Sequence, residues 1–283
     1  MSITGKAKLA GVIGYPVSHT LSPVLHGFWL AEHGIDGAMV PLAAGREDFT
    51  QVINGARRAG FKGVNVTVPH KESAFAIAHS VDGAANAAGA ANLLVFQDGK
   101  ILGRNTDAVG LAESLRENIG TLEGKSVVLL GAGGAARGAI LGLEMLGAAS
   151  IHLLNRDAHR AKTLATSLAA QVKAPVHPGS LGDWKNVAGD AALVVNSTSA
   201  GMGQNPPLDI DLGALPKSAA VCDIVYNPLE TKLLKDAAAR GHKTIDGLGM
   251  LMHQAVPSFE AFFGVRPAVT PGLRAALVKV LGG

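Results

Sequence analysis

Residues 126–136, Ser-Val-Val-Leu-Leu-Gly-Ala-Gly-Gly-Ala-Ala, constrain this chain more than any other stretch. An unbroken apolar run bounded by glycine suits a strand buried on both faces of a parallel sheet. Gly131-x-Gly133-x-x-Ala136 follows at once, ahead of helix formers that reach about Gly147. Strand, glycine-rich turn and helix in that order make a dinucleotide fingerprint, with Ala in the permitted third position. Gly131 allows the tight turn, Gly133 lets backbone N–H groups approach a pyrophosphate, and Ala136 keeps helix and strand close. The helix N-terminus adds partial positive charge for the anion.

The end of the next strand bears on which dinucleotide is held, because an acidic residue there suits a ribose 2′-hydroxyl and an arginine suits a 2′-phosphate. Here Asn155-Arg156-Asp157 stands, with Arg160 on the helix start. Asn155 can bond the ribose without repelling a phosphate, and Arg156 and Arg160 can clamp one. Two solvated arginines are the plainer alternative, and Asp157 can either repel the phosphate or cap the helix. The expectation is NADP.

The remaining segments alternate strands and helices. Strands are expected at Leu9–Ile13, Met39–Leu42, Lys62–Val68, Ala91–Phe96, Lys100–Gly103, Ile151–Leu154, Ala192–Val195 and Ala220–Val225. Asp98-Gly99 joins two of them as a hairpin. In Lys62–Val68, Val64, Val66 and Val68 should share one face and Asn65 and Thr67 the other. Helices are expected from Ser22, the expected N-cap before Pro23, and across Phe49, Val52, Ile53 and Ala56. Others should start near Lys71 and Asp107, run from about Ala158 to Ala170 and from Glu230 to Arg240, and cover Met250–Phe263 and Gly272–Leu281. The expected fold class is α/β with two α/β domains. Residues 1–107 with 246–283 form an N-terminal substrate domain, and residues 108–245 form a Rossmann-type dinucleotide-binding domain. The C-terminal helices return to the first domain, an expectation that rests on the resemblance below.

Composition narrows the function. Of 283 residues 48% are hydrophobic and 17% charged, enough to bury a core and too apolar for a disordered chain. The formal net charge is only +3, and no cluster of Lys and Arg exceeds a pair such as Arg57-Arg58, so no nucleic-acid partner is expected. The most apolar stretch, residues 127–149, carries Arg137 and Glu144 and is broken by glycines, which speaks against a membrane span. Residues 1–16 lack an apolar run uninterrupted by Gly and Pro, so no signal peptide is expected. A single Cys222 fits a reducing compartment, and the cytoplasm is the expected location.

Lys71 lies just beyond the carboxyl end of a strand, where ligands gather in open α/β sheets. Its charge opposes the helix dipole at that position, which a nearby anion would offset, and Asp107 is the candidate. Such a pair suits an alcohol/ketone centre, with charged Lys71 donating a proton to a developing alkoxide as hydride arrives. An exposed ion pair, or two unrelated surface charges, is the alternative on the residues alone.

The chain resembles shikimate dehydrogenase along nearly its whole length. The matching stretches are residues 14–23, 65–71, 89–92, 105–107, 131–138, 155–156, 196–199 and 246–250, in order and at matching spacing. The resemblance implies an NADP-dependent oxidoreductase that reduces 3-dehydroshikimate to shikimate in aromatic amino-acid (chorismate) biosynthesis. It implies Lys71 and Asp107 as the catalytic pair. Thr20, Ser22, Thr67, Asn92, Tyr226 and Gln254, with that pair, would bind substrate. Gly131, Ala132, Gly133, Gly134, Ala135, Asn155, Arg156, Arg160, Ile224 and Gly247 would bind NADP. The implied partner is a small-molecule acid, and a homodimer is compatible. Taken singly, Ser22 could equally cap a helix and Asn92 could equally form a turn.

The chain departs from the family pattern at Thr20 (usually Ser), Ala91 (Val), Ala108 (Gly) and Asp157 (Thr or Ser). Thr20 and Asp157 keep an NAD-preferring quinate/shikimate dehydrogenase in view, and a non-catalytic shikimate sensor is the rival outside enzymes. No metal is expected. His19, His26 and His33 recur at intervals of seven, without the i,i+4 spacing of a helical metal pair. Cys222 reads as a small core residue.

Overall fold

The computed structural model describes residues 3–282. The chain separates into two compact units, one running to Thr106 and resuming at Gln254, the other spanning Asp107–His253.

In the first unit β1 (Lys8–Gly14), α1 (Ser22–Glu32), β2 (Gly37–Ala43), α2 (Phe49–Arg58), β3 (Gly63–Val66), α3 (Lys71–Ile77), β4 (Ser80–Val81), α4 (Gly83–Ala88), β5 (Leu93–Gln97) and β6 (Lys100–Arg104) follow one another. They build a six-stranded sheet of order β2-β1-β3-β5-β6-β4. β1 is parallel to β2 and β3, while β3, β5 and β6 pair antiparallel. The β5–β6 turn has Asp98 at φ 49° and Gly99 at φ 73°, the two positive values that a tight primed hairpin turn requires.

Two local expectations are corrected. Ser22 is the first residue of α1 rather than its cap. Leu21 holds the cap position without a side-chain bond, and the Ser22 N–H donates to Thr20 Oγ1 at 3.3 Å. Val68 does not join Val64 and Val66 on one face of β3. The strand ends at Val66, and Val68 is 69% exposed on the turn before Pro69. Asn65 is buried as well, because β3 is central and covered on both sides.

The second unit runs α5 (Asp107–Ile119), β7 (Ser126–Leu130), α6 (Gly134–Met145), β8 (Ser150–Asn155), α7 (Ala158–Leu168), β9 (Val176–Ser180), α8 (Trp184–Val187), β10 (Ala191–Asn196), β11 (Ala220–Asp223), α9 (Lys232–Ala239) and β12 (Lys243–Ile245). Its sheet is parallel throughout, in the order β12-β11-β10-β7-β8-β9. Read from β9, this is the doubly wound pattern 3-2-1-4-5-6, which places a ligand crevice outside the carboxyl ends of β7 and β10. Central β7 explains the apolar run in the sequence: Val127 and Leu129 pack into one core cluster with α5, α6 and α7, and Val128 and Leu130 into the other with Trp184 and α9.

α10 (Gly247–Phe263) begins three residues before the expected Met250, and the unit boundary at Gln254 falls inside it; α11 (Pro271–Val280) closes the chain in the first unit. Strands β4, β9 and β12 and helices α4 and α8 have no clear signature in the sequence. Among the described residues no helix is long and apolar enough to cross a membrane, and no group of three or more His, Cys, Asp or Glu could hold a metal ion.

Candidate active site

Gly131 leaves β7 at φ 106°, a backbone region that L side chains rarely adopt. A Cβ there would sit 2.7 Å from Thr198 Cγ2 and 3.0 Å from Ser197 Oγ, so the turn passes hard against the segment after β10. The Gly131 N–H donates to Leu154 O at 2.8 Å, tying the turn to β8. At Gly133 and Gly134, by contrast, an added Cβ meets nothing within 4 Å among the described residues. That open face, beside the first turn of twelve-residue α6, is the cradle a pyrophosphate needs. Ala136 is fully buried against the sheet. The residues present therefore fit a dinucleotide.

Asn155 ends β8, with Arg156 and Arg160 exposed beside it. Asn155 Nδ2 donates to the Asp157 carbonyl at 2.9 Å. The alternatives at Asp157 resolve to the cap: its Oδ1 accepts from His159 N–H at 2.9 Å and Arg160 N–H at 3.4 Å. The carboxylate is thus engaged by the first turn of α7, where the helix dipole favours it, and is not committed to a ribose.

On the far side of β10, Ile224 N–H donates to Asn196 O at 3.1 Å. Tyr226 follows on the same loop, half-buried, and burial pushes its phenol above the ordinary value. Gly247 opens α10 against this loop. A Cβ at Gly247 would fall well inside contact distance of Ile224 O and C, and 2.9 Å from Val225 C. Gly247→Ala is expected to push the loop out, cost about 1–3 kcal/mol of stability and weaken NADP binding. Thermal midpoint and NADP titration read both.

In the first unit, Thr20 Oγ1 donates to Ser22 Oγ at 3.2 Å at the start of α1. Thr67 is half-buried, its N–H donating to Ile13 O at 2.9 Å and its carbonyl accepting from His70 N–H at 3.0 Å. Lys71 is the first residue of α3, its carbonyl held by Ala91 N–H at 2.9 Å. His70, which carried no assigned role, anchors that helix start. It is fully buried, its Nε2 lies 2.8 Å from Ala44 O, and its ring stacks on Phe49 with centroids 4.7 Å apart. Facing a carbonyl, Nε2 carries the proton.

Asn92 Oδ1 accepts from Thr106 N–H at 2.8 Å, and its Nδ2 donates to Thr106 Oγ1 at 3.0 Å and to Gln254 Oε1 at 3.4 Å. The tertiary fold thus brings together Asn92 and Gln254, which are far apart in sequence, with Thr106 between them. Asp107 starts α5 in the second unit and is 4% exposed. It lies on α6 where Gly138 leaves space, since a Cβ at Gly138 would sit 2.6 Å from Asp107 Cβ.

The parallel sheet, its glycine turn at the strand-order reversal and the arginines after β8 define a two-unit α/β protein with a Rossmann-type nucleotide half. Family models match residues 12–94, as the shikimate dehydrogenase substrate binding domain, and residues 112–203, as shikimate/quinate 5-dehydrogenase. The shikimate dehydrogenase (NADP(+)) of Rhodospirillum rubrum is 50% identical over 279 residues, 98% of this chain and 99% of that protein. A solved shikimate dehydrogenase in complex with NADP+ aligns with a TM-score of 0.91 at 33% identity, covering 99% of this chain and 98% of that one. One from Thermus thermophilus, in complex with NADP(H) and shikimate, aligns with a TM-score of 0.82 at 33% identity, over 96% and 99%. The chain belongs to the shikimate dehydrogenase family.

Proposed function

We propose that the protein interconverts shikimate and 3-dehydroshikimate with NADP, in the cytoplasm, as a step of aromatic biosynthesis. The observation that carries this reading is the glycine turn at the β7/β10 reversal, followed by a strand that ends at Asn155 with Arg156 next and the neighbouring Asp157 engaged as a helix cap. In this reading the second unit holds NADP through Gly131, Ala132, Gly133, Gly134 and Ala135 at the pyrophosphate. Asn155, Arg156 and Arg160 take the 2′-phosphoribose, and Ile224 and Gly247 border the nicotinamide.

The bound cofactor supplies or accepts the hydride. Lys71 donates a proton to the oxygen of the carbonyl being reduced and takes it back in the reverse direction. Asp107 orients the reacting hydroxyl as an acceptor. Thr20, Ser22, Thr67, Asn92, Tyr226 and Gln254 hold the carboxylate and remaining hydroxyls, because a polyhydroxylated acid in a closed site needs every polar group met. The hydroxyl pair of Thr20 and Ser22 and the amide pair of Asn92 and Gln254 supply donors and acceptors of that kind.

The test is formation of NADPH from NADP with shikimate, with quinate and with no substrate, repeated with NAD. Turnover with shikimate and NADP well above the other combinations supports the reading, and preference for NAD or for quinate overturns the corresponding half of it. Tight shikimate binding without NADPH formation identifies a sensor. Arg156→Ala or Arg160→Ala is expected to raise the KM for NADP by about 10- to 100-fold, the worth of a charged hydrogen bond. The KM for NAD should stay near the wild-type value.

A further inference from the structure

A fully buried carboxylate, Asp223, ends β11 and has no part in the chemistry described so far. Its Oδ1 accepts from Asn196 Nδ2 at 3.0 Å and from Val225 N–H at 3.0 Å, and its Oδ2 accepts from Thr231 Oγ1 at 2.7 Å. Thr231 is the cap of α9, its Oγ1 accepting from Leu234 N–H at 3.4 Å. Its own hydroxyl proton is therefore free to point at Asp223. Every neighbour donates, so the site is built for the acceptor-only, ionised form. Burial pushes the carboxyl upward, and these same three donors pull it back.

The network extends beyond Asp223. Asn196 Oδ1 accepts from Thr198 N–H at 3.0 Å and from Thr198 Oγ1 at 2.7 Å. Thr198 Oγ1 in turn accepts from Ala200 N–H at 3.0 Å. Thr198 is the side chain against which the Gly131 turn passes. At the other end, Val225 lies in the loop that Gly247 touches. One chain of contacts thus runs from the pyrophosphate turn, through the hydrogen-bonded ends of β10 and β11, to the loop of Ile224 and Tyr226.

We propose that Asp223 is a positioning residue that fixes the Ile224–Tyr226 loop relative to the Gly131 turn, and so sets where the nicotinamide end of the cofactor lies. The inference rests on the NADP-dependent reading above. Hydride transfer is sensitive to such placement, and a misplacement near 1 Å can cost about 10²-fold in rate. A carboxamide at this position removes the charge that holds the Asn196 and Val225 donors and forces the Thr231 hydroxyl to accept rather than donate, which loosens the loop.

The experiment compares wild type, Asp223→Asn, Thr231→Val and Thr231→Ser. It measures steady-state kinetics with shikimate and NADP, thermal midpoint, and calorimetric binding of NADP and of 2′,5′-ADP, which lacks the nicotinamide. D223N and T231V are expected to lose about 10- to 100-fold in kcat and to bind NADP more weakly, while 2′,5′-ADP binds as in wild type. T231S, which keeps the hydroxyl, should behave as wild type. A folded D223N with wild-type kcat overturns the proposal. So does parallel loss of NADP and 2′,5′-ADP binding, which signifies general damage to the unit. If D223N does not fold, T231V against T231S decides by the same criteria. Failure of wild type itself to turn over shikimate with NADP refutes the functional reading instead.

Discussion

Lys71→Ala is expected to lower kcat for shikimate oxidation by about 10²- to 10⁴-fold, the range over which a positioned general acid or base contributes. NADP affinity should be unchanged. The backbone at this position is held independently of the side chain. Lys71 is the first residue of α3, where its backbone is held by the Ala91 N–H bond to its carbonyl and by the buried His70 ring before it. None of these contacts uses the Lys71 side chain. Alanine is also a better helix former, and removing a cation from a helix N-terminus removes an unfavourable charge–dipole contact. The fold should persist while turnover collapses, and the thermal midpoint of K71A is the control that separates lost chemistry from lost structure. Lys71→Arg should not restore the rate, because guanidinium does not release its proton in proteins. Turnover of K71A near wild type would remove Lys71 from the proton transfer.

The second large effect concerns stability against pH. His26 sits in α1 with no solvent exposure, its ring 5.8 Å from Phe259, 6.0 Å from Trp29 and 6.3 Å from both Phe262 and Phe263. Neither ring nitrogen has a hydrogen-bond partner among the described residues. Burial lowers its pKa from 6.5 to about 3. The unfolded chain then binds a proton below pH 6.5 that the folded chain refuses until about pH 3. The associated stability is complete above pH 6.5 and is lost progressively as pH falls toward 3, about 5 kcal/mol in all. That is a large share of the roughly 5–15 kcal/mol by which domains are stable.

His26→Leu should remove this part of the acid slope and raise the midpoint at neutral pH, because it also removes two unsatisfied polar atoms. Thermal melts of wild type and H26L from neutral to mildly acidic pH measure it. Parallel curves for the two proteins would refute the assignment. Asp223, whose carboxyl is raised, works in the opposite sense and is common to both proteins, so the difference between the two curves isolates His26.

Much of the nucleotide half was legible in the chain itself. β7 is a central parallel strand, so both of its faces must be apolar, and the turn after it can be built only with glycine where φ is positive. Both constraints act within a dozen residues and leave a local signature. β9 left none: Val176-His-Pro-Gly-Ser is an edge strand, half-buried at most, that tolerates Pro178 because one side of its ladder is open. β12 lies at the opposite edge and is only three residues long. Ser22 misled as a cap because Ser before Pro suits either the cap or the first turn, and it was Thr20 that bonded to its N–H. Val68 misled because alternation cannot tell where a strand stops.

The sequence alone determined the elements whose stability is local: the apolar central strands, the glycine turn, the Asp98-Gly99 hairpin and the start of α7. Tertiary structure alone decided which polar groups meet. It brought Gln254 to Asn92, sent the Asp157 carboxylate to its own helix, and enclosed Asp223 among donors from Asn196, Val225 and Thr231. A hydrogen bond depends on tenths of an ångström between groups far apart along the chain, whereas burial of an apolar run depends only on its composition and period.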